Sequence, residues 1–144
     1  MNLTEHFTLE ELTFTSHREF DNTPNVLQVN NLQRLAEFLE EVRSLLGKPI
    51  IIDSGFRSPE VNQAVGSTSV SQHLRGCAAD FRVPGMTPAQ VVEAIHKSDI
   101  AYDQLILELG WTHISIPNTD DVDARKMALI IDRSAGLIGM GWLK

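Results

Sequence analysis

Two imidazoles and a carboxylate stand out as groups able to share a cation: His73 and Asp80 in Ser71-Gln72-His73-Leu74-Arg75-Gly76-Cys77-Ala78-Ala79-Asp80, and His113 in Trp111-Thr112-His113-Ile114-Ser115. Three protein ligands of these types, with a fourth position left open, are the set that suits a catalytic zinc. Gly76 permits a tight reversal, so His73 and Asp80 can project from neighbouring segments into one cleft. Asp80 opens an extended run, Asp80-Phe81-Arg82-Val83, whose alternation puts Ala78 and Asp80 on one side and Cys77, Ala79 and Phe81 on the other. The same alternation gives Trp111, His113 and Ser115 a common face and leaves Ile114 and Ile116 for a core. Two half-sites on strands are therefore expected to meet at one point. Residue types alone leave a second reading open, because a single His-Asp pair is often incidental and the stretch lacks the cysteine density of structural zinc modules. Cys77 would be a good thiolate ligand, but alternation turns it away from Asp80, and it reads as a small buried apolar residue.

The elements that must hold these groups can be read in chain order. Thr8-Leu9-Glu10-Glu11 has the form of a capping box and Phe7 to Leu12 that of a hydrophobic staple, which predicts a short helix after Thr8. Ser16-His17-Arg18-Glu19 repeats the box, and His6 and His17 are expected at the surface beside these caps, while Asn22-Thr23-Pro24 reads as a turn. From about Asn25 to Leu46, Val29, Leu32, Leu35, Ala36, Leu39, Val42 and Leu46 recur at helical steps. Phe38 and Leu45 widen that stripe, Gly47 ends it, and no chemistry is assigned to this helix. Pro49-Ile50-Ile51-Ile52 reads as a buried strand that delivers Asp53-Ser54-Gly55-Phe56-Arg57 to the cleft. Ser58 with Pro59 predicts a short helix closed by Gly66, and Thr87 with Pro88 a second amphipathic one carrying Val91, Val92 and Ile95, with His96 near its end. Tyr102 to Leu109 and Trp111 to Pro117 look like paired strands, Asn118 to Asp123 is an acidic loop, and Arg125 to Asp132 and Leu137 to Trp142 add extended segments. The acidic loop lacks the ordered ligand spacing of a calcium site and reads as a solvated turn.

The pattern Ser-x-His-x-x-Gly-x-Ala-x-Asp followed by Trp-x-His resembles the zinc D-Ala-D-Ala carboxypeptidases and related murein peptidases, including phage endolysins that cut L-Ala-D-Glu bonds. The similarity extends upstream to Ser54-Gly55-Phe56-Arg57-Ser58-Pro59 and Asn62, and more loosely to the amino end. It implies that His73, Asp80 and His113 bind Zn2+, and that Arg57 lies at the substrate. With the element order, it implies one α+β domain over residues 1–144: a central, mostly antiparallel sheet, helices packed on one side and a zinc cleft on the other.

A zinc held by two neutral imidazoles and one carboxylate keeps positive charge and polarises water and a substrate carbonyl, as amide hydrolysis requires. Arg57, permanently charged at the end of a strand, is the best candidate to hold a developing oxyanion, the alternative being a surface pair with Glu60. Several relatives place a carboxylate three residues before the second zinc histidine, where this chain has Gly110. Glu108 can substitute as the base if Leu109-Gly110 turns a hairpin that pairs Glu108 with Trp111, because cross-strand partners share a face. Gln104, Ile106 and Glu108 would then flank Trp111, His113 and Ser115, while the alternative leaves Glu108 as an exposed hairpin carboxylate. Ser71 and Gln104 are candidate substrate hydrogen-bonders, and Trp111 a candidate apolar wall for a peptide.

Size and charge narrow the classes. A chain of 144 residues with 42% apolar content can bury a core without staples, and one cysteine excludes an intramolecular disulfide framework. A net charge of -7 argues against a nucleic-acid partner. The amino end has no basic and apolar leader and no run reaches membrane-spanning length, so synthesis in a cytoplasm and no membrane partner are expected; a monomer is the expected state. The implied partner is the peptidoglycan stem peptide, and the implied activity is that of a phage or prophage murein peptidase acting after release or from a virion. Gly110 and the lack of a basic wall-binding segment favour a rival, a non-catalytic zinc module of the same fold used for binding or virion structure, as Hedgehog domains use it for recognition.

Overall fold

Strand order, more than any single helix, decides where the cation-binding groups go. The computed structural model describes residues 1–132 and 139–142. Its helices are α1 (Leu9–Thr13), α2 (Val26–Leu46), α3 (Pro59–Ala64) and α4 (Pro88–His96), with a 3₁₀ turn at Gln72–Arg75. The strands β1 (Ile51–Ser54), β2 (Ala78–Arg82), β3 (Gln104–Leu107), β4 (Thr112–Ser115), β5 (Met127–Asp132) and β6 (Gly139–Trp142) form one sheet in the order β1-β2-β4-β3-β5-β6. Every pairing is antiparallel except β3 with β5. The architecture is thus the expected α+β one.

The helices begin where local chemistry satisfies their first amides. Thr8 Oγ1 accepts from Glu11 N at 3.1 Å while the Glu11 carboxylate accepts from Thr8 N at 2.8 Å, and Asn25 with Gln28 and Thr87 with Gln90 build the same reciprocal cap. Proline opens α3 and α4, where a missing N–H costs nothing. The apolar stripe of α2 and that of α4 then close over one face of the sheet. Leu32, Leu35, Leu39 and Val42 of α2 and Ile95 of α4 meet Ala79, Phe81, Leu105 and Ile114, all with no solvent exposure. At about 1.5–3 kcal/mol for each large side chain, this layer is the main force holding the sheet's orientation. Because side chains alternate, burying Ala79, Phe81 and Ile114 on the helical face forces Asp80 and His113 onto the other.

Several expectations are corrected. Ser16-His17-Arg18-Glu19 forms no helix: no apolar stripe follows to pack it, and the local contacts are instead His17 N to Thr15 Oγ1 and His17 Nδ1 to Glu19. β1 is not a buried strand but, among the described residues, the sheet edge, pairing with β2 alone; Ile50 is buried while Ile51 is 41% exposed. Leu45 lies outside the covered stripe of α2 and is exposed. His73 is carried by the 3₁₀ turn and not by a strand, so only two of the three candidate ligands are strand residues. Of the last extended segment, Leu137 and Ile138 lie outside the described residues. Among the described residues no helix is long and apolar enough to cross a membrane.

Candidate metal centre

Asp80 and His113 stand directly opposite each other on β2 and β4. His73 arrives from the side. Ser71 Oγ caps the 3₁₀ turn by accepting from His73 N, and Gly76 leaves the turn at φ 75°, where a Cβ would also stand 2.8 Å from Gln28 O. Two polar side chains of α2 pin this turn, Gln28 Nε2 on Leu74 O at 3.2 Å and Asn31 Nδ2 on Arg75 O at 2.9 Å. One ligand atom from each of His73, Asp80 and His113 lies within 4.8 Å of the others.

The hydrogen bonds assign the ring nitrogens. The carbonyl of Gly55 can only accept, so at 2.6 Å it fixes the proton of His73 on Nδ1. Nε2 then presents a lone pair to Asp80 Oδ1 at 3.3 Å, and His113 Nδ1 meets the same oxygen at 2.9 Å. Burial pushes the His73 imidazole down from its ordinary pKa, which keeps it neutral. Burial opposes the charge on Asp80, but the hydrogen bond it shares with His113 Nδ1 favours that charge, and the carboxyl is held below the usual carboxylate range. A bare imidazole nitrogen facing a carboxylate oxygen is a repulsive contact unless a cation joins them, so the donor set fits a metal ion. The other nitrogen of His113, Nε2, is buried with no hydrogen-bond partner among the described residues.

Arg57 sits otherwise than as a free electrophile. Its Nη2 donates to Asp80 Oδ2 at 3.0 Å and its Nε to Ser54 Oγ at 3.0 Å, so it grips the oxygen of Asp80 that the imidazoles leave unused. The surface pair with Glu60 does not form; burial lowers the guanidinium pKa while Asp80 and Glu108 pull it back. Arg57 still lines a cleft of about 380 Å³ with His73, Asp80, His113, Ser71, Glu108 and Trp111. The hairpin places Glu108 on that face as expected. Ile106 pairs with His113, Glu108 N donates to Trp111 O at 3.3 Å, and the turn passes through Gly110 at φ 89°. Trp111 lines the same cleft, and its indole N–H donates to Glu108 Oε2 at 2.6 Å and so orients the carboxylate. Gln104 lines a second cavity, of about 700 Å³, that shares Gly66, Ser67, Ser71, Ile106 and His113 with the first.

Residues without an earlier role hold these groups in place. Asn22, expected only in a turn, donates from Nδ2 to Thr13 O and Phe56 O and accepts from Ser58 N at 2.7 Å, clamping α1 onto the Gly55-Phe56-Arg57 loop. Gly55 is dictated by close approach, since a Cβ there would meet Leu12 O at 2.4 Å. Asn62, buried, fastens the cleft loop through Thr68 O at 2.8 Å. Gln72 donates to Asp103 Oδ2, Ile116 O and Asn118 Oδ1, locking the residue before His73 to the far end of β4. Asp103 is gripped in turn by the Arg125 fork at 2.7–3.1 Å. A single Asn or Gln carries no spacing signal, so apart from Asn62, which the resemblance included, only the fold identifies these supports. Cys77 is free and buried, and burial raises its pKa, consistent with an apolar role. His96 reaches Tyr102 Oη at 2.9 Å at the end of α4, outside the cleft.

A mostly antiparallel sheet that offers an imidazole and a carboxylate, with a second imidazole brought in by the 3₁₀ turn, forms a group able to hold one metal ion in the open, three-ligand manner. A family model for peptidase M15 matches residues 5–115, from just before α1 to the end of β4 and so across all three candidate ligands. The chain belongs to the peptidase M15 family, whose members are zinc-dependent peptidases. No curated protein matches it significantly.

Proposed function

We propose that the protein is a zinc metallopeptidase that hydrolyses peptide bonds of bacterial peptidoglycan, of the D-Ala-D-Ala carboxypeptidase or L-Ala-D-Glu endopeptidase type and encoded by a phage or prophage. The observation that carries this is the convergence of His73, Asp80 and His113 to within 4.8 Å in a cleft that Arg57 and Glu108 also line. Zinc bound by these three residues supplies Lewis acidity toward water and the scissile carbonyl. The protein's own groups do the rest. Glu108, oriented by Trp111, takes the proton of the attacking water and returns it to the leaving amine. Arg57 positions Asp80 through Oδ2, and its guanidinium adds fixed positive charge beside the carbonyl oxygen as it becomes anionic. Ser71 and Gln104 offer hydrogen bonds along the cleft to the peptide backbone, and Trp111 forms part of its wall. Digestion of purified murein by the zinc-loaded protein, followed by mass analysis of released fragments, tests the proposal; new peptide termini are expected. Their absence across several wall types would instead favour a zinc-containing binding module, the role suggested by Gly110 at the position where relatives carry a carboxylate.

A further inference from the structure

The larger cavity beside the metal centre ends at a cation whose setting is not explained by fold support alone. Arg125 donates from Nε and Nη2 to the buried carboxylate of Asp103, and its own N–H donates to Asp103 Oδ1. That fork fixes the guanidinium plane. Nη1 has no partner among the described residues, and the side chain remains 52% exposed while lining the cavity. The next residue, Lys126, is the one non-glycine at positive φ among the described residues, at 52°, and its N–H donates to Tyr102 O at 3.0 Å, which ties this segment to the start of β3. A structural ion pair needs only the inner edge of the guanidinium. The outer edge, planar and pre-oriented, has the geometry that recognises a carboxylate.

We propose that Arg125 is a specificity residue of this cleft and holds a carboxylate of the bound peptide; the proposal rests on the peptidase reading above. Its position sets the spacing. Ile106 pairs with His113, and Asp103 lies three residues earlier on the same segment, so at a rise of about 3.3 Å per residue the backbone that carries Arg125's partner lies about 10 Å along the strand from the backbone beside His113. An extended peptide covers that distance in two to three residues, by the usual span of about 3.3–3.6 Å each. The carboxylate therefore belongs to a residue two to three positions from the bond cut. Asp103 is neutralised by Arg125 itself. Asp123, also on the cavity wall, is exposed, so salt screens its repulsion more than it weakens direct hydrogen bonds at Arg125.

The test uses pairs of synthetic stem peptides that differ only in a carboxylate or a carboxamide at that position. Cleavage by the zinc-loaded protein gives KM and kcat, and calorimetric titration of the metal-free protein gives affinity without turnover. Amidation is expected to weaken binding and raise KM about ten- to hundredfold with kcat little changed, the usual scale for hydrogen bonds to a charged group. Arg125→Gln should lose the same factor for the carboxylate peptide and none for the amide. Equal KM and affinity for the two peptides with the unaltered protein would overturn the proposal whether or not the variant folds. If neither peptide is bound or cut, the peptidase reading falls with it.

Discussion

Replacing Gly55 with alanine tests how a short terminal helix governs the metal centre. The added methyl would stand 2.4 Å from Leu12 O and must withdraw by at least about 0.6 Å to reach even 3.0 Å. The obstacle is backbone, and Leu12 O already accepts from Phe56 N at 2.8 Å, so either α1 lifts or the 55–57 loop retreats. Overpacking of about 1–3 kcal/mol and a weakened buried hydrogen bond of about 1 kcal/mol predict a loss of about 2–4 kcal/mol. A retreating loop also moves the Gly55 carbonyl, which holds His73 Nδ1 at 2.6 Å and aims Nε2 at the site. Loss of such a support typically costs about 10–100-fold in metal affinity. Urea denaturation of the metal-free protein measures the first effect, and zinc competition against a chelating dye the second. Unchanged stability would refute the close approach of α1. Reduced stability with unaltered zinc affinity would show that α1 yields alone, and would refute the link from Leu12 to His73.

Four further outcomes are expected. The purified protein should retain about one zinc per chain, and His113→Ala should lose it readily because two protein ligands remain; full, tight occupancy by metal analysis would remove His113 from the set. Arg57→Lys should keep fold and zinc but lose much of the murein cleavage, since an ammonium cannot span Asp80 Oδ2 and Ser54 Oγ as the planar fork does; unchanged turnover would show that this grip is dispensable. Glu108→Gln should keep zinc while turnover falls roughly a hundredfold or more, and near wild-type cleavage would exclude it as the base. The last concerns acid. Burial opposes the charge of Asp103, but Arg125 and Gln72 outweigh it and its folded pKa is depressed, so its stabilisation is present above the unfolded value near 3.9 and is lost as pH falls through the folded value. Urea midpoints measured from pH 5 downward should therefore decline less steeply in Asp103→Asn than in the parent, and parallel declines would contradict the assignment.

Much of this molecule is written in local pattern, and local pattern acts through the chain itself. The stripe of α2, the reciprocal caps at Thr8, Asn25 and Thr87, and the prolines opening α3 and α4 depend on neighbours a few residues away, so they could be read directly. Strand alternation likewise sorted Asp80 and His113 from Ala79, Phe81 and Ile114 before any pairing was known. The box at Ser16 shows the limit of such signals: a cap without an apolar face to bury makes no helix. Whether Ile51 is buried depended on β1 being an edge, which is a property of strand order. The partners of Arg57, Asn22, Gln72 and Arg125 were also decided only in three dimensions. Polar side chains satisfy themselves with whatever the fold brings near, and the groups they meet lie 23 residues away for Arg57 with Asp80 and 31 for Gln72 with Asp103. The ligand types for a cation are therefore legible in the chain, while the carbonyl, guanidinium and amide groups that aim them emerge only when the sheet closes.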